Sequence, residues 1–377
     1  MFPAVTLTKD LARALRQGHP WVYRDALGYP PGLRDGDFVS LAGKDGKPIA
    51  NGFWSASSPI ALRILSLQPV ANPSELVRQR LAASLSTRRN WFAGKHTNAF
   101  RWIHGEGDRL PGIHVDRYGD VATVRFDGPG SRAFYAGLDA QLIEIGGLRK
   151  VVDRETRARE SDEVEVLENG LRFHVDLGLG QKGGLFLDQR ENRALVETLA
   201  GGKRVLNLFG YTGAFSLYAA RGGATRTDTV DIAAPAMQAA KRNFELNGFP
   251  LEKAGFHAVD AFVFLEKAIA AGTTYDLVIS DPPSFAPSKK SLETARKAYA
   301  RLHQLAARVT TPGGTLCAAS CSSHFAKKEF LSSVSEGVHQ AGHRWTLSAF
   351  AGAGLDHPSL PVFPEGDYLK FAVGTVS

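Results

Sequence analysis

Asp281-Pro282-Pro283-Ser284-Phe285 and, forty residues on, Ser320-Cys321-Ser322 are the stretches of this chain best equipped for chemistry. Each follows an apolar run, Tyr275–Ser280 and Gly314–Ser320, that reads as a buried parallel strand. Open α/β sheets bind their ligands just past the carboxyl ends of such strands. The prolines end the first strand and stiffen its turn. A rigid loop with a carboxylate, outward carbonyls and a ring suits a flat, polar, aromatic substrate. Asp281 would bond the exocyclic amine or N3 of a cytosine, Pro283 would border it, and Phe285 would stack on the extruded base.

The thiol supplies the second half of the argument. Pyrimidine C5 is a weak nucleophile, but a thiolate added at C6 converts the ring into an enamine-like one. Cys321 sits where strand gives way to Ser322-Ser323-His324, so its sulfur is expected at the active edge. Cys317, four residues earlier and inside the apolar run, reads as a small buried hydrophobe. Cys317, Cys321 and His324 do not make a zinc pattern, and no metal is expected.

A cofactor site is legible upstream. Strand Arg204–Leu208 runs into Phe209-Gly210-Tyr211-Thr212-Gly213 and then a helical pattern. Two glycines let the backbone turn sharply at a helix start and approach a ligand closely. Asp231, twenty residues after Tyr211, ends the next strand and suits a ribose diol. Asp260 follows the third strand, placed for an adenine amine, and Asp281 with Pro282 closes the pocket. Lys182, Asp188 and Arg190 surround an apolar kernel just before the first strand and are expected at the cofactor's amino-acid end. The missing pyrophosphate fingerprint favours S-adenosylmethionine over a dinucleotide.

The elements that must position these groups alternate strand and helix from about residue 185. Six strands with intervening helices predict a doubly wound, mostly parallel sheet. No helical pattern links Trp345–Phe350 to Tyr368–Val373, so the last strand is predicted antiparallel, as in a class I methyltransferase. The loop between them, with Asp356-His357-Pro358 and Phe363-Pro364-Glu365-Gly366, is expected to cover the substrate. Before this domain, residues 1–72 read as a β-rich domain with a hairpin at Asp45-Gly46. Residues 73–180 read as a linking helix over 74–93 followed by an α+β unit, with a helix from about Ser131 to Ile145 and a tight turn at Asn169-Gly170. The methyltransferase domain then covers 181–377.

Charge divides unevenly. Residues 1–100 hold thirteen Lys and Arg against six Asp and Glu, which accounts for the whole net charge of +7. That suits either docking on a polyanion or a solubilising surface. Arg78, Arg80, Arg88 and Arg89 are expected around the apolar side of the 74–93 helix, and Lys289, Lys290, Arg296, Lys297 and Arg301 near the substrate loop. Two cysteines, no apolar run of spanning length and no signal-like start fit a cytoplasmic protein without a membrane partner.

Together, Gln181 to Arg190, Val205 to Gly213, Asp281 to Phe285 and Ser320-Cys321-Ser322 resemble the bacterial large-subunit ribosomal RNA methyltransferase I family. Gly18-His19-Pro20-Trp21-Val22-Tyr23 is similar to that family's PUA domain, and Gly107 to Asp120 to the start of its central domain. The resemblance implies an S-adenosylmethionine-dependent enzyme forming 5-methylcytosine in 23S rRNA, with Cys321 as nucleophile and Asp281 as base-orienting acid. It leaves a homodimer open. It also leaves open what removes the C5 proton, since the Asp281 loop has no second cysteine. A purine N-methyltransferase needing no thiol, a non-catalytic RNA-binding assembly factor and a small-molecule enzyme remain as alternatives.

Overall fold

The computed structural model describes residues 2–156, 161–178, 184–285 and 292–377. The chain forms two compact units, one of Met1–Val166, Asp176–Gly183 and Leu355–Gly366, the other of Leu167–Val175, Gly184–Gly354 and Asp367–Ser377.

In the first unit, β1 (Ala4–Leu7), β2 (Trp21–Tyr23), β3 (Leu27–Gly28), β4 (Phe38–Ala42), β5 (Pro48–Trp54) and β6 (Ile60–Ser66) form one sheet in the order β2-β6-β5-β4-β1-β3. Alternation in β4 turns Val39 and Leu41 onto Val5, Val22, Trp54 and Leu62. Gly46, at φ 75°, turns β4 into β5, and Lys47 N donates to Asp45 Oδ1 as the hairpin signal required. β1 and the first helix, α1 (Ala12–Arg16), have no strong sequence pattern and were not foreseen.

A second sheet, β7 (Ala99–His104), β8 (Ile113–Tyr118), β9 (Val121–Phe126) and β10 (Lys150–Asp153), has the order β10-β9-β8-β7. Helix α2 (Pro73–Trp91), capped by Asn72 and opened by Pro73, lays Val77, Leu81 and Leu85 on Trp102, Ile113 and Val115. The single helix expected from 131 to 145 is two, α3 (Pro129–Phe134) and α4 (Leu138–Gly146). Gly137, left-handed at φ 80°, breaks it.

Two of the four α2 arginines, Arg80 and Arg88, are drawn into the fold. Arg88 is buried, forked onto Asp108 at 2.7 Å by both terminal nitrogens, and it also reaches the Asp356 carbonyl. Arg80 donates to the Leu65 and Arg109 carbonyls, and Arg78 pairs with Glu144. Arg63 is likewise buried against Glu106. Part of the basic excess therefore serves folding. Arg13, Arg16, Lys44, Lys47, Arg89 and Lys95 stay exposed. The 355–366 segment belongs to the first unit. Asp356 accepts from the Arg101 backbone N–H at 2.8 Å, and Phe363 packs edge-on against Trp21.

A hairpin, β11 (Glu163–Glu168) and β12 (Leu171–Asp176), turns through Asn169 and Gly170, both left-handed at φ 48° and 82°. The second unit follows: α5 (Arg190–Leu199), β13 (Arg204–Leu208), α6 (Ala214–Arg221), β14 (Arg226–Asp231), α7 (Ala234–Leu246), β15 (Ala254–Ala258), α8 (Ala261–Ala270), β16 (Tyr275–Ser280), α9 (Leu292–Val309), β17 (Thr310–Ser320), α10 (Lys327–Gln340), β18 (Trp345–Ala351) and β19 (Lys370–Val376). The sheet order is β15-β14-β13-β16-β17-β19-β18. The first five strands are parallel, and β19 runs antiparallel between β17 and β18. The last strand thus has the expected direction. Its central runs, such as Leu277-Val278-Ile279 and Leu316-Cys317-Ala318-Ala319, are fully buried because helices cover both faces.

Candidate active site

Registers align the carboxyl ends of the parallel strands. Leu208 lies opposite Val230 and Ser280, Asp231 opposite Ala258, and Ser280 opposite Ala318. The loops after β13, β14, β15, β16 and β17 therefore leave one edge of the sheet, and the expected site residues ride on them.

The loop after β13 is strained. Phe209 and Tyr211 hold φ of 56° and 46°, a region few side chains occupy, and Gly213 holds 79°. Three bonds keep it in place. Gly210 N donates to Val230 O at 2.9 Å, Tyr211 N to Asp231 Oδ2 at 3.0 Å, and Gly213 N to Gly210 O at 2.8 Å. Glycine is required at 210 and 213 by close packing, since a Cβ would stand 2.5 Å from Thr229 Cγ2 at the first and 2.9 Å from Ala240 Cβ at the second. Thr212 is buried, and its carbonyl accepts from Asn243 Nδ2.

Asp231 therefore shapes the loop as well as facing it, its other oxygen accepting from Ala233 N at 2.9 Å. Asp260 caps α8, but through Oδ1 alone. Asp231→Ala is expected to weaken S-adenosylmethionine binding by roughly tenfold to a hundredfold, the worth of hydrogen bonds to a charged group. Calorimetry reads it, and unchanged affinity would remove Asp231 from the site.

Asp281 is half-buried and accepts from Gln189 Nε2 at 3.0 Å. Gln189 is in turn fixed by Asn192, which donates to its Oε1 at 2.6 Å and to Gly352 O at 3.1 Å. Pro282 is buried, while Pro283 and Ser284 are exposed. Phe285 is half-buried and tilted on Tyr299, with ring centroids 4.9 Å apart. Tyr299 Oη lies 2.8 Å from Ser320 Oγ. Burial, with Cys321 and Asp281 both close enough to be felt, pushes the Tyr299 phenol up to about 12, so it stays neutral. Tyr299 thus links the Asp281 loop and the Cys321 turn.

The two thiols differ as their positions require. Cys321 is partly exposed at the end of β17. Cys317 is sealed in the core, and burial pushes its thiol up to about 12. One turn beyond Tyr299 on α9 lies His303, fully buried with no well-placed hydrogen-bond partner among the described residues. Burial holds it down to about 3. Below its unfolded value near 6.5 the unfolded chain takes up a proton that the folded one refuses, so stability falls as pH drops from there toward 3. His303→Phe is expected to move the acid-unfolding midpoint to lower pH in circular dichroism. An unmoved midpoint would contradict this.

Two further expected cofactor residues have partners of their own within the fold. Arg190 is 1% exposed and turned inward, 3.5 Å from Glu168, because that buried carboxylate needs cationic company. Asp188 is buried and accepts from Tyr368 Oη at 2.7 Å. Lys182, Lys289 and Lys290 lie outside the described residues. Gln189, Tyr299 and Lys370 were missed. Only Lys370 left a signal, as a lone cation entering the apolar run Phe371-Ala372-Val373.

The donor set fits S-adenosylmethionine. Asp231 and Asp260 can accept from hydroxyls and an amine, and the acids together suit a cofactor whose sulfonium and ammonium are positive. Asn207 Oδ1 and Ser280 Oγ, at the same ends of β13 and β16, are buried without a partner among the described residues. Residues 154–338 match the family described as S-adenosylmethionine-dependent methyltransferase, and residues 5–67 match the PUA-like domain family. The protein of Shewanella denitrificans named ribosomal RNA large subunit methyltransferase I is 32% identical, covering 99% of each chain. The chain belongs to that family. The Deinococcus radiodurans protein named ribosomal RNA large subunit methyltransferase is 35% identical over 94% of this chain and 93% of its own. A solved methyltransferase in complex with SAH is 25% identical, with a TM-score of 0.85 and full coverage of both chains. A Streptococcus mutans structure, 24% identical with a TM-score of 0.85, covers 99% of this chain and all of its own and shares the fold. This member of the large subunit methyltransferase I family is therefore a class I methyltransferase that uses S-adenosylmethionine. Among the described residues no helix is long and apolar enough to cross a membrane, and no cluster could hold a metal ion.

Proposed function

We propose that the enzyme methylates C5 of a cytosine in 23S ribosomal RNA through a covalent adduct on Cys321. One observation carries this reading: the partly exposed thiol ends β17 beside the Asp281 loop, with Tyr299 in electrostatic reach of both. The names of the relatives, all large-subunit rRNA enzymes, support the substrate class. The PUA-like segment, with exposed Arg13, Arg16, Lys44 and Lys47, suits a phosphate backbone.

S-adenosylmethionine supplies the electrophilic methyl group. The chain must make C5 electron-rich. Cys321 attacks C6, forming a C–S bond while the C5=C6 π pair moves toward C5. Asp281, held by Gln189, orients the ring through the exocyclic amine or N3. Once C5 carries the methyl group, loss of its proton returns an electron pair to C5=C6 and expels the thiolate. Phe285 and Pro283 border the base, with the Phe285 ring braced by Tyr299.

The test uses large-subunit rRNA fragments containing 5-fluorocytosine, whose C5 fluorine blocks the elimination. A denaturation-stable protein–RNA complex linked at Cys321 is expected. Methyl transfer to a purine nitrogen, with no such complex, would replace this reading by one that needs no thiol.

A further inference from the structure

Lys370 is the one lysine among the buried charged residues described, 5% exposed at the start of a strand that continues Phe371-Ala372-Val373. Removing an ammonium from water costs several kcal/mol even after the protein relaxes. A purely structural need at this position would be met more cheaply by an apolar side chain, as at its neighbours. The placement is specific. Lys370 lies directly opposite Ser320 in the antiparallel β17–β19 pair. Its Nζ donates to Ser322 O at 2.7 Å and to Tyr368 O at 3.0 Å. Cys321 is the residue between the two that Lys370 contacts.

We propose that Lys370 is a positioning residue for the methyl-transfer reaction, its ammonium pinning the turn that carries Cys321 and holding that sulfur as the thiolate. The inference deepens the adduct reading above and rests on it for its role in catalysis. Four other ionisable groups among the described residues lie near the turn. Tyr299, from α9, is neutral. Asp281, from the β16 loop, is an acid and favours the protonated thiol. His324, on the turn itself, is exposed. Asp367, on the segment leading into β19, acts on Lys370 and helps keep it charged. Burial pulls the Lys370 ammonium down from its usual range, while Asp367 and Cys321 oppose that pull.

The experiment is the pH dependence of Cys321 alkylation by iodoacetamide in the full chain, with Cys321→Ser as the blank for Cys317. The wild-type midpoint is expected clearly below the free-thiol value of about 8.5. Lys370→Met should raise it by about one pH unit or more, and Lys370→Arg should restore it most of the way. An unchanged midpoint in a folded Lys370→Met variant overturns the proposal. If that variant does not fold, a wild-type midpoint at or above about 8.5 overturns it alone. The readout is independent of methylation. Cys321→Ala with intact methylation would sink the adduct chemistry and leave the effect of Lys370 on the thiol standing.

Discussion

Cys321→Ala is expected to lower RNA methylation by roughly 10⁴-fold or more, the scale of loss when a covalent nucleophile is deleted. The 5-fluorocytosine complex should vanish with it. S-adenosylmethionine affinity should hold within about twofold, because the groups expected to face the cofactor ride on the loops after β13, β14, β15 and β16 rather than on the β17 turn itself. Cys317→Ala separates position from residue type. That thiol is sealed in the core four residues away, so its loss should leave turnover intact. Rapid methylation by Cys321→Ala, measured by tritium transfer to RNA, would mean that C5 is not the acceptor.

The second large effect concerns stability. Glu168 is fully buried, and Arg193 forks onto it at 2.8 and 2.6 Å, with Tyr218 Oη donating at 2.9 Å. Arg190 stands 3.5 Å away. Arg193→Met would strand much of a buried charge, a loss on the order of 3–5 kcal/mol. The paired variant Glu168→Gln with Arg193→Met should recover part of that loss, because the stranded carboxylate is gone and Arg190 still has Glu191 at 3.8 Å. Thermal unfolding of the three proteins decides it. A single variant as stable as the wild type would show that Arg190 alone satisfies Glu168.

The sheet was legible because its strands are apolar runs bounded by turn residues, and a run such as Leu277-Val278-Ile279 has few other homes. The direction of β19 followed from the missing crossover helix, but its place between β17 and β18 did not, since either edge satisfies the same pattern. The acids and the thiol announced themselves by lying just past strand ends. What supports them was hidden. Gln189 reaches Asp281 across 92 residues of sequence and Tyr299 reaches Ser320 across 21, contacts that no local spacing encodes. The burial of arginine was hidden for a related reason. On α2, Arg88 looks like any solvated charge until Asp108 and the Asp356 carbonyl are brought to it.

The position of β19 has a consequence for the order of events in biosynthesis. β17 emerges from the ribosome long before the strand that flanks it, so one whole side of that ribbon stays without a neighbour until Lys370–Val376 arrives. An open ribbon edge invites pairing with other nascent chains. The turn after β17 also lacks the Lys370 tether at the Ser322 carbonyl over that interval. Premature termination before residue 370 should therefore yield a sticky and chemically idle fragment, and catalytic competence would appear only when the final ribbon slots into the gap.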